Sequence, residues 1–336
     1  MSDSAKPGDP KPVGDRPLQP GLGEVMGVAG GLAPLTRPPA PPYVEPPTVI
    51  MPDLERRLRA PRTFVNAVFS VVIALMAFVA LLPLFSLLAM LLFQGGQRLS
   101  LALFTQLPPA AGMEGGGIGN AILGTLLMVG IASIIAVPVG ILGAIYTAEF
   151  APESRISGIV RFAVKVLSGL PSVLAGLFAY AAVVLWTRQY SAVAGGVALS
   201  ILMVPTVLLT AEQAIKMVPQ RMREAAIGMG ATPTQVTLQV VLPAARPGIL
   251  TGVMLAVARA AGETAPLLFS AMFSNYWLTR NLMEPTPSLA VLIYNFSTSA
   301  FANQIEIAWS ASLVLVFLVL VANIVAQIWT ARAHRT

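Results

Sequence analysis

From Phe64 onward the chain alternates between long, continuously apolar runs and short polar stretches, and the runs show neither the period of two of a half-buried strand nor a narrow helical stripe. Six runs stand out, at about residues 64–93, 118–145, 162–185, 196–211, 248–273 and 308–328. A hydrocarbon core of ~30 Å takes about 20 residues of helix to cross. The pattern therefore predicts an all-α integral membrane protein with six transmembrane helices, the fourth being the shortest. Pro83, Pro138, Pro171, Pro205 and Pro266 fall inside these runs. Each removes a backbone donor and is expected to bend its helix.

Residues 1–62 have a different texture. They hold 14 of the 28 prolines, in runs such as RPPAPPYVEPP, and no regular apolar period. The expectation is a disordered tail of polyproline character, a solvated extension with a proline-mediated docking role as the alternative. No apolar core lies near residue 10, as a cleavable leader would require, so the tail is expected to be kept. The division that results is a tail at 1–62, a first helix at 63–93, a loop at 94–117, a five-helix core at 118–330 and a short terminus at 331–336. The core includes a long polar loop at 212–247.

Composition agrees: 56% of residues are hydrophobic and 11% charged, against about 25% charged in a soluble domain. The basic residues set the orientation, because cytoplasmic segments carry the excess. The tail holds Lys6, Lys11, Arg16, Arg37, Arg56, Arg57, Arg59 and Arg62, and the connection between the second and third runs holds Arg155, Arg161 and Lys165. Lys216, Arg221, Arg223 and Arg246 follow the fourth run, and Arg332 and Arg335 end the chain. The alternate loops have only Arg98, Arg188 and Arg280. Both termini and the loop at 212–247 are thus expected on the cytoplasmic side. The net charge of +6 follows this topology and forms no aromatic-laced basic patch, so no nucleic-acid partner is expected.

The loop reads EAAIGMGATPTQVTLQVVLPAARP from residue 224 to residue 247. Pro219 can open a short helix, and Gly230 can close it in a left-handed cap. Thr232 and Pro233 read as the cap and first position of a second short helix, which Pro243 is expected to stop. Met222, Ala225, Ala226, Met229, Val236 and Val240 supply apolar surface that calls for a partner. Glu224, Ala225 and Ala226, then Gly230, Val240, Leu242 and Pro243, resemble the EAA signature of bacterial ABC importer permeases, with valine at 240 where isoleucine is usual. The stretches at 116–128, 137–150, 167–180 and 248–269 resemble, more narrowly, the PstA-type permeases of phosphate importers, over about residues 115–330. The resemblance implies a type I ABC importer permease fold in a bacterial inner membrane, with the second short helix as the coupling helix in a groove of a cytoplasmic ATPase. It also implies four partners: a PstC-like second permease subunit, a PstB-like ATPase dimer that binds the ATP, a periplasmic PstS-like phosphate-binding protein, and phosphate as substrate. The long tail departs from the simplest members.

Arg259 and Glu263 lie four residues apart in the fifth run, on one helical face. Counted from residue 248, Arg259 is roughly 16 Å into the bilayer at 1.5 Å per residue, where a charge must face protein or water. The pair reads either as a structural ion pair or as part of an anion's route. Arginine suits phosphate because its planar fork meets two oxygens at once. Thr264 could add a hydroxyl, and Pro266 leaves the Gly262 carbonyl without its usual donor. No catalytic, cofactor or metal site is expected: the chain has no cysteine, a single terminal histidine at 334, and no lysine that follows glycine as in a Walker loop. Any ATP must be bound elsewhere. The reading is a phosphate-importer permease subunit rather than an enzyme, with an importer of another oxyanion or of polyamines, or a secondary carrier or channel, as alternatives.

Overall fold

In the computed structural model, which describes residues 61–333, every regular element is helical. Helix α1 (Pro61–Gly96) is followed by the short α2 (Leu101–Thr105), α3 (Gly119–Phe150), α4 (Arg155–Ser168) and α5 (Ser172–Thr187). Then come α6 (Ala192–Lys216), α7 (Gln220–Gly228), α8 (Pro233–Ala261), α9 (Ala265–Ser270), α10 (Leu289–Ser297) and α11 (Ala302–Ala333). Among the described residues, five helices are long and apolar enough to cross a membrane, and a sixth span results if α4 and α5 count as one broken crossing. The tail expected at 1–62 lies almost wholly outside the described residues, as does the end of the terminus at 331–336.

From residue 67 onward the described residues form one compact unit around the pair α3 and α6. Met128, Val129, Ala132 and Ala136 of α3 bury against Leu199, Met203 and Val207 of α6, where lipid tails cannot reach. Small residues permit the close approach that drives helix association when no hydrophobic effect separates helix from lipid. A Cβ on Gly140 would meet the Val207 side chain at 2.7 Å. Helix α8 lies on the other flank of α6, α11 lies against α8 and α10, and α9 rests on α5. A second cluster joins Ala144, Leu208, Ile215, Val241 and Ile249 at one end of the bundle, and a third joins Leu103, Ile118, Leu289, Phe296 and Ile307 at the other. Helix α1 is exposed along most of its described length and meets α11 near its last turn, where the Ser310 hydroxyl donates to the Gly95 carbonyl at 3.0 Å.

Three features depart from the sequence pattern. The run at 162–185 is no single helix: α4 and α5 meet at 106° across Gly169, Leu170 and Pro171. Pro171 opens the second half, and the polar side of α4 ties it to other helix ends. Next, Pro243 does not stop a short second helix. The residues after Thr232 enter a π turn at Val236–Val241 and continue as helix to Ala261. A π turn widens the backbone just before the proline, so the missing donor and the ring are accommodated in place. Last, the run at 248–273 breaks at Gly262, Glu263 and Thr264, and the chain between α9 and α10 returns across the start of α3. There Asn120 donates to the carbonyls of Ser274 and Tyr276, both at 3.1 Å. Pro83, Pro138 and Pro205 sit within unbroken helices.

Candidate functional site

The loop after α6 begins with α7, whose end is closed by Gly230 at φ +90°. The Ala231 amide donates to the Ala226 carbonyl at 3.1 Å and the Gly230 amide to Ile227 at 2.9 Å, the paired bonds of a Schellman cap. Thr232 then caps α8 in a reciprocal box with Gln235, and Pro233 takes the first position. Both helix ends are thus fixed by residues readable in the sequence.

The signature residues divide between two tasks. Ala226 is 3% exposed and packs with Val236 and Val241, and Val240 and Leu242 lean on the same cluster. Glu224, Ala225, Gly230 and Pro243 are exposed. Of the apolar residues expected to greet a partner, Met222 and Met229 face outward, joined by Met217, Ile227 and Leu238, whereas Ala226 and Val236 face inward. The element that stands apart is α7. The second helix, expected to be separate, is the beginning of α8.

At the far end of α8, Arg259 lies in the last turn, two residues before the helix ends, rather than in the interior of a continuous helix. A cation there complements the exposed carbonyls of the helix terminus. Its Nε is 3.5 Å from Oε1 of Glu263, a loose contact in which the arginine side chain is 55% exposed and the glutamate 17%. No hydrogen bond occupies the guanidinium among the described residues. Thr264 follows Glu263 at the start of α9 and does not cap it with its hydroxyl. The break at Gly262, Glu263 and Thr264 therefore collects a cation, an anion and a hydroxyl-bearing residue between two helix ends.

Arg259 also continues a stripe. Ala244, Gly248, Thr251, Leu255 and Arg259 are exposed at intervals of three and four, so they share one face of α8, while Ala245, Ile249, Gly252, Ala256 and Ala260 form the buried face. Gly248, Thr251, Gly252 and Leu255 line an open groove of ≈ 510 Å³ between α6 and α8. A charged, small-residue face is poorly suited to lipid.

Comparison with known proteins places this geometry. A model of the family described as binding-protein-dependent transport system inner membrane component matches residues 136–335. The phosphate transport system permease protein PstA of Yersinia pestis is 40% identical over 239 residues, which are 71% of this chain and 81% of that protein. A probable phosphate transport system permease protein PstA of Methanocaldococcus jannaschii is 32% identical over 260 residues, 77% of this chain and 91% of the relative. Among solved structures, an inward-facing MetNI methionine ABC transporter superposes with a TM-score of 0.51 at 19% identity, over 63% of this chain and 94% of that one. That last likeness concerns the fold.

Proposed function

We propose a mechanism from one premise: the chain belongs to the family of binding-protein-dependent transport system inner membrane components, and within it to the PstA-type permeases. It is a membrane-spanning permease subunit of a phosphate ABC importer. In our reading the exposed stripe of α8 faces a second, PstC-like permease subunit, and the translocation path runs between the two. Arg259, with Glu263 and Thr264 beside it, lies on that path. The observation that carries this reading is the open guanidinium at a helix break, at the end of a face unsuited to lipid. Phosphate arriving there finds two unengaged nitrogens of the planar fork and loses part of its hydration to them.

Energy enters at the other end of α8. The exposed residues Glu224, Ala225, Met222, Ile227 and Met229 give α7 the surface of a small docking helix, and a PstB-like ATPase dimer is the partner we assign to it. ATP is bound there and not in this chain. A PstS-like phosphate-binding protein delivers substrate on the opposite side, and both termini are cytoplasmic.

The test is reconstitution of the purified chain in vesicles with and without the second permease, the ATPase and the binding protein. Phosphate uptake should require ATP and all four components. Uptake driven by an ion gradient with the ATPase left out would identify a secondary carrier.

A further inference from the structure

Two arginines anchor the cytoplasmic-side helix ends, and they are used differently. Arg161 of α4 spends all its nitrogens: Nε meets Oε1 of Glu212 on α6 at 2.7 Å, Nη1 donates to the Pro152 carbonyl at 2.9 Å, and Nη2 donates to the Thr147 carbonyl at 2.5 Å. Lys216 adds a contact to the same Glu212 oxygen at 2.6 Å. Arg223 of α7 reaches across instead. Its Nη2 lies 2.8 Å from Oε1 of Glu149, in the π turn that ends α3, and donates to the Ile215 carbonyl of α6 at 2.9 Å. Its Nε is buried with no hydrogen-bond partner among the described residues.

What else holds α7 is slight. Ala226 is the one fully buried residue of the helix, so a single methyl group is its apolar anchor. Both partners of the ion pair are largely sequestered, with side chains 18% and 12% exposed, and sequestered pairs are little screened. We infer that Arg223 and Glu149 form the positioning pair that fixes α7 to the ends of α3 and α6, so that a displacement of α7 reaches the central helix pair directly. The continuous helix α8 carries the same displacement toward Arg259 by a second route. Arg161 is a fixed brace on the bundle itself. The inference rests on the reading of α7 as the ATPase-docking helix.

The experiment uses the complete transporter in vesicles and reads phosphate moved per ATP hydrolysed, together with copurification of the ATPase. Arg223→Met and Glu149→Gln should each keep the ATPase bound and hydrolysing while phosphate per ATP falls roughly tenfold, the order expected for losing one charge-assisted bond in a mechanical step. Arg221→Gln, an exposed neighbour on the same helix, should match the wild type. Because the chain has no cysteine, Arg223→Cys with Glu149→Cys can be bridged by a short bifunctional thiol reagent. Bridging should restore coupling that the unbridged double variant has lost, which a pair needed only for folding would not do. Single variants with wild-type stoichiometry, or a bridge that leaves coupling low, would overturn the inference. Uptake by the wild type without the ATPase would instead overturn the docking reading on which it stands.

Discussion

Three arginines illustrate how one residue type is put to different uses at the places where helices end. Arg161 is saturated by a carboxylate and two carbonyls, Arg223 is committed to a carboxylate and a carbonyl, and Arg259 has, among the described residues, a single loose contact with Glu263. If Arg259 and Glu263 served packing alone, neutralising both as Arg259→Gln with Glu263→Gln should recover most of what either single change loses, since a pair tolerates joint removal better than halving. We expect otherwise. The double variant should insert and bind its partners but take up phosphate at least about tenfold more slowly, and Arg259→Lys should also be impaired because an ammonium lacks the bidentate fork. Near-normal uptake by the double variant would remove Arg259 from the substrate route. The pair itself was legible in the sequence, because opposite charges four residues apart in an apolar run share one helical face and offset each other where a lone charge would be costly. Its setting was not: the run at 248–273 read as one helix gave a mid-helix position, and only the end of α8 at Ala261, before the break at Gly262, Glu263 and Thr264, shows that Arg259 belongs to a last turn.

At the scale of elements, short-range signals carried over and long-range ones did not. The Gly230 cap and the Thr232 box depend on a few neighbouring residues, so the sequence contains all that determines them. The unbroken path through Pro243 depends on a π turn, which has no compositional mark, whereas the bend at Pro171 is marked by its proline and only its size of 106° is not. Likewise Ala225 and Ala226 are indistinguishable by type, yet one is exposed and the other buried. The cap supplies a sharp test of the loop. Open space surrounds the place where a Cβ on Gly230 would stand, so any penalty for a side chain comes from backbone conformation alone. A β-branched residue at that φ costs about 1–3 kcal/mol. Gly230→Val should therefore insert normally yet copurify several-fold less ATPase. Retention of the ATPase at wild-type yield, with wild-type uptake, would separate the cap from docking.

The whole molecule poses a question that its elements leave open, namely whether α4 and α5 together cross the bilayer or turn back. The count of basic residues predicts a crossing: Arg155, Arg161 and Lys165 precede the bend, Arg188 alone follows α5, and Lys216 ends α6 with Arg221 and Arg223 beyond it. With the N-terminus on the cytoplasmic side, as proposed, a crossing would put Gly96 and Arg280 on the periplasmic side and Gly228 on the cytoplasmic side. A re-entrant α4 and α5 would remove one crossing and put Gly96 and Gly228 on the same side, leaving the cluster after α6 on the wrong face. All three positions are exposed, and Gly96 and Gly228 have open space for a side chain. Single cysteines at Gly96→Cys, Gly228→Cys and Arg280→Cys in this cysteine-free chain can be probed with a membrane-impermeant maleimide, without the ATPase that would cover α7. In spheroplasts, labelling of the first and third but not the second is expected, with the reverse in inverted vesicles. Equal labelling of Gly96→Cys and Gly228→Cys from one side would mean that α4 and α5 do not cross, and the face of α8 that ends at Arg259 would then have to be placed in the membrane anew.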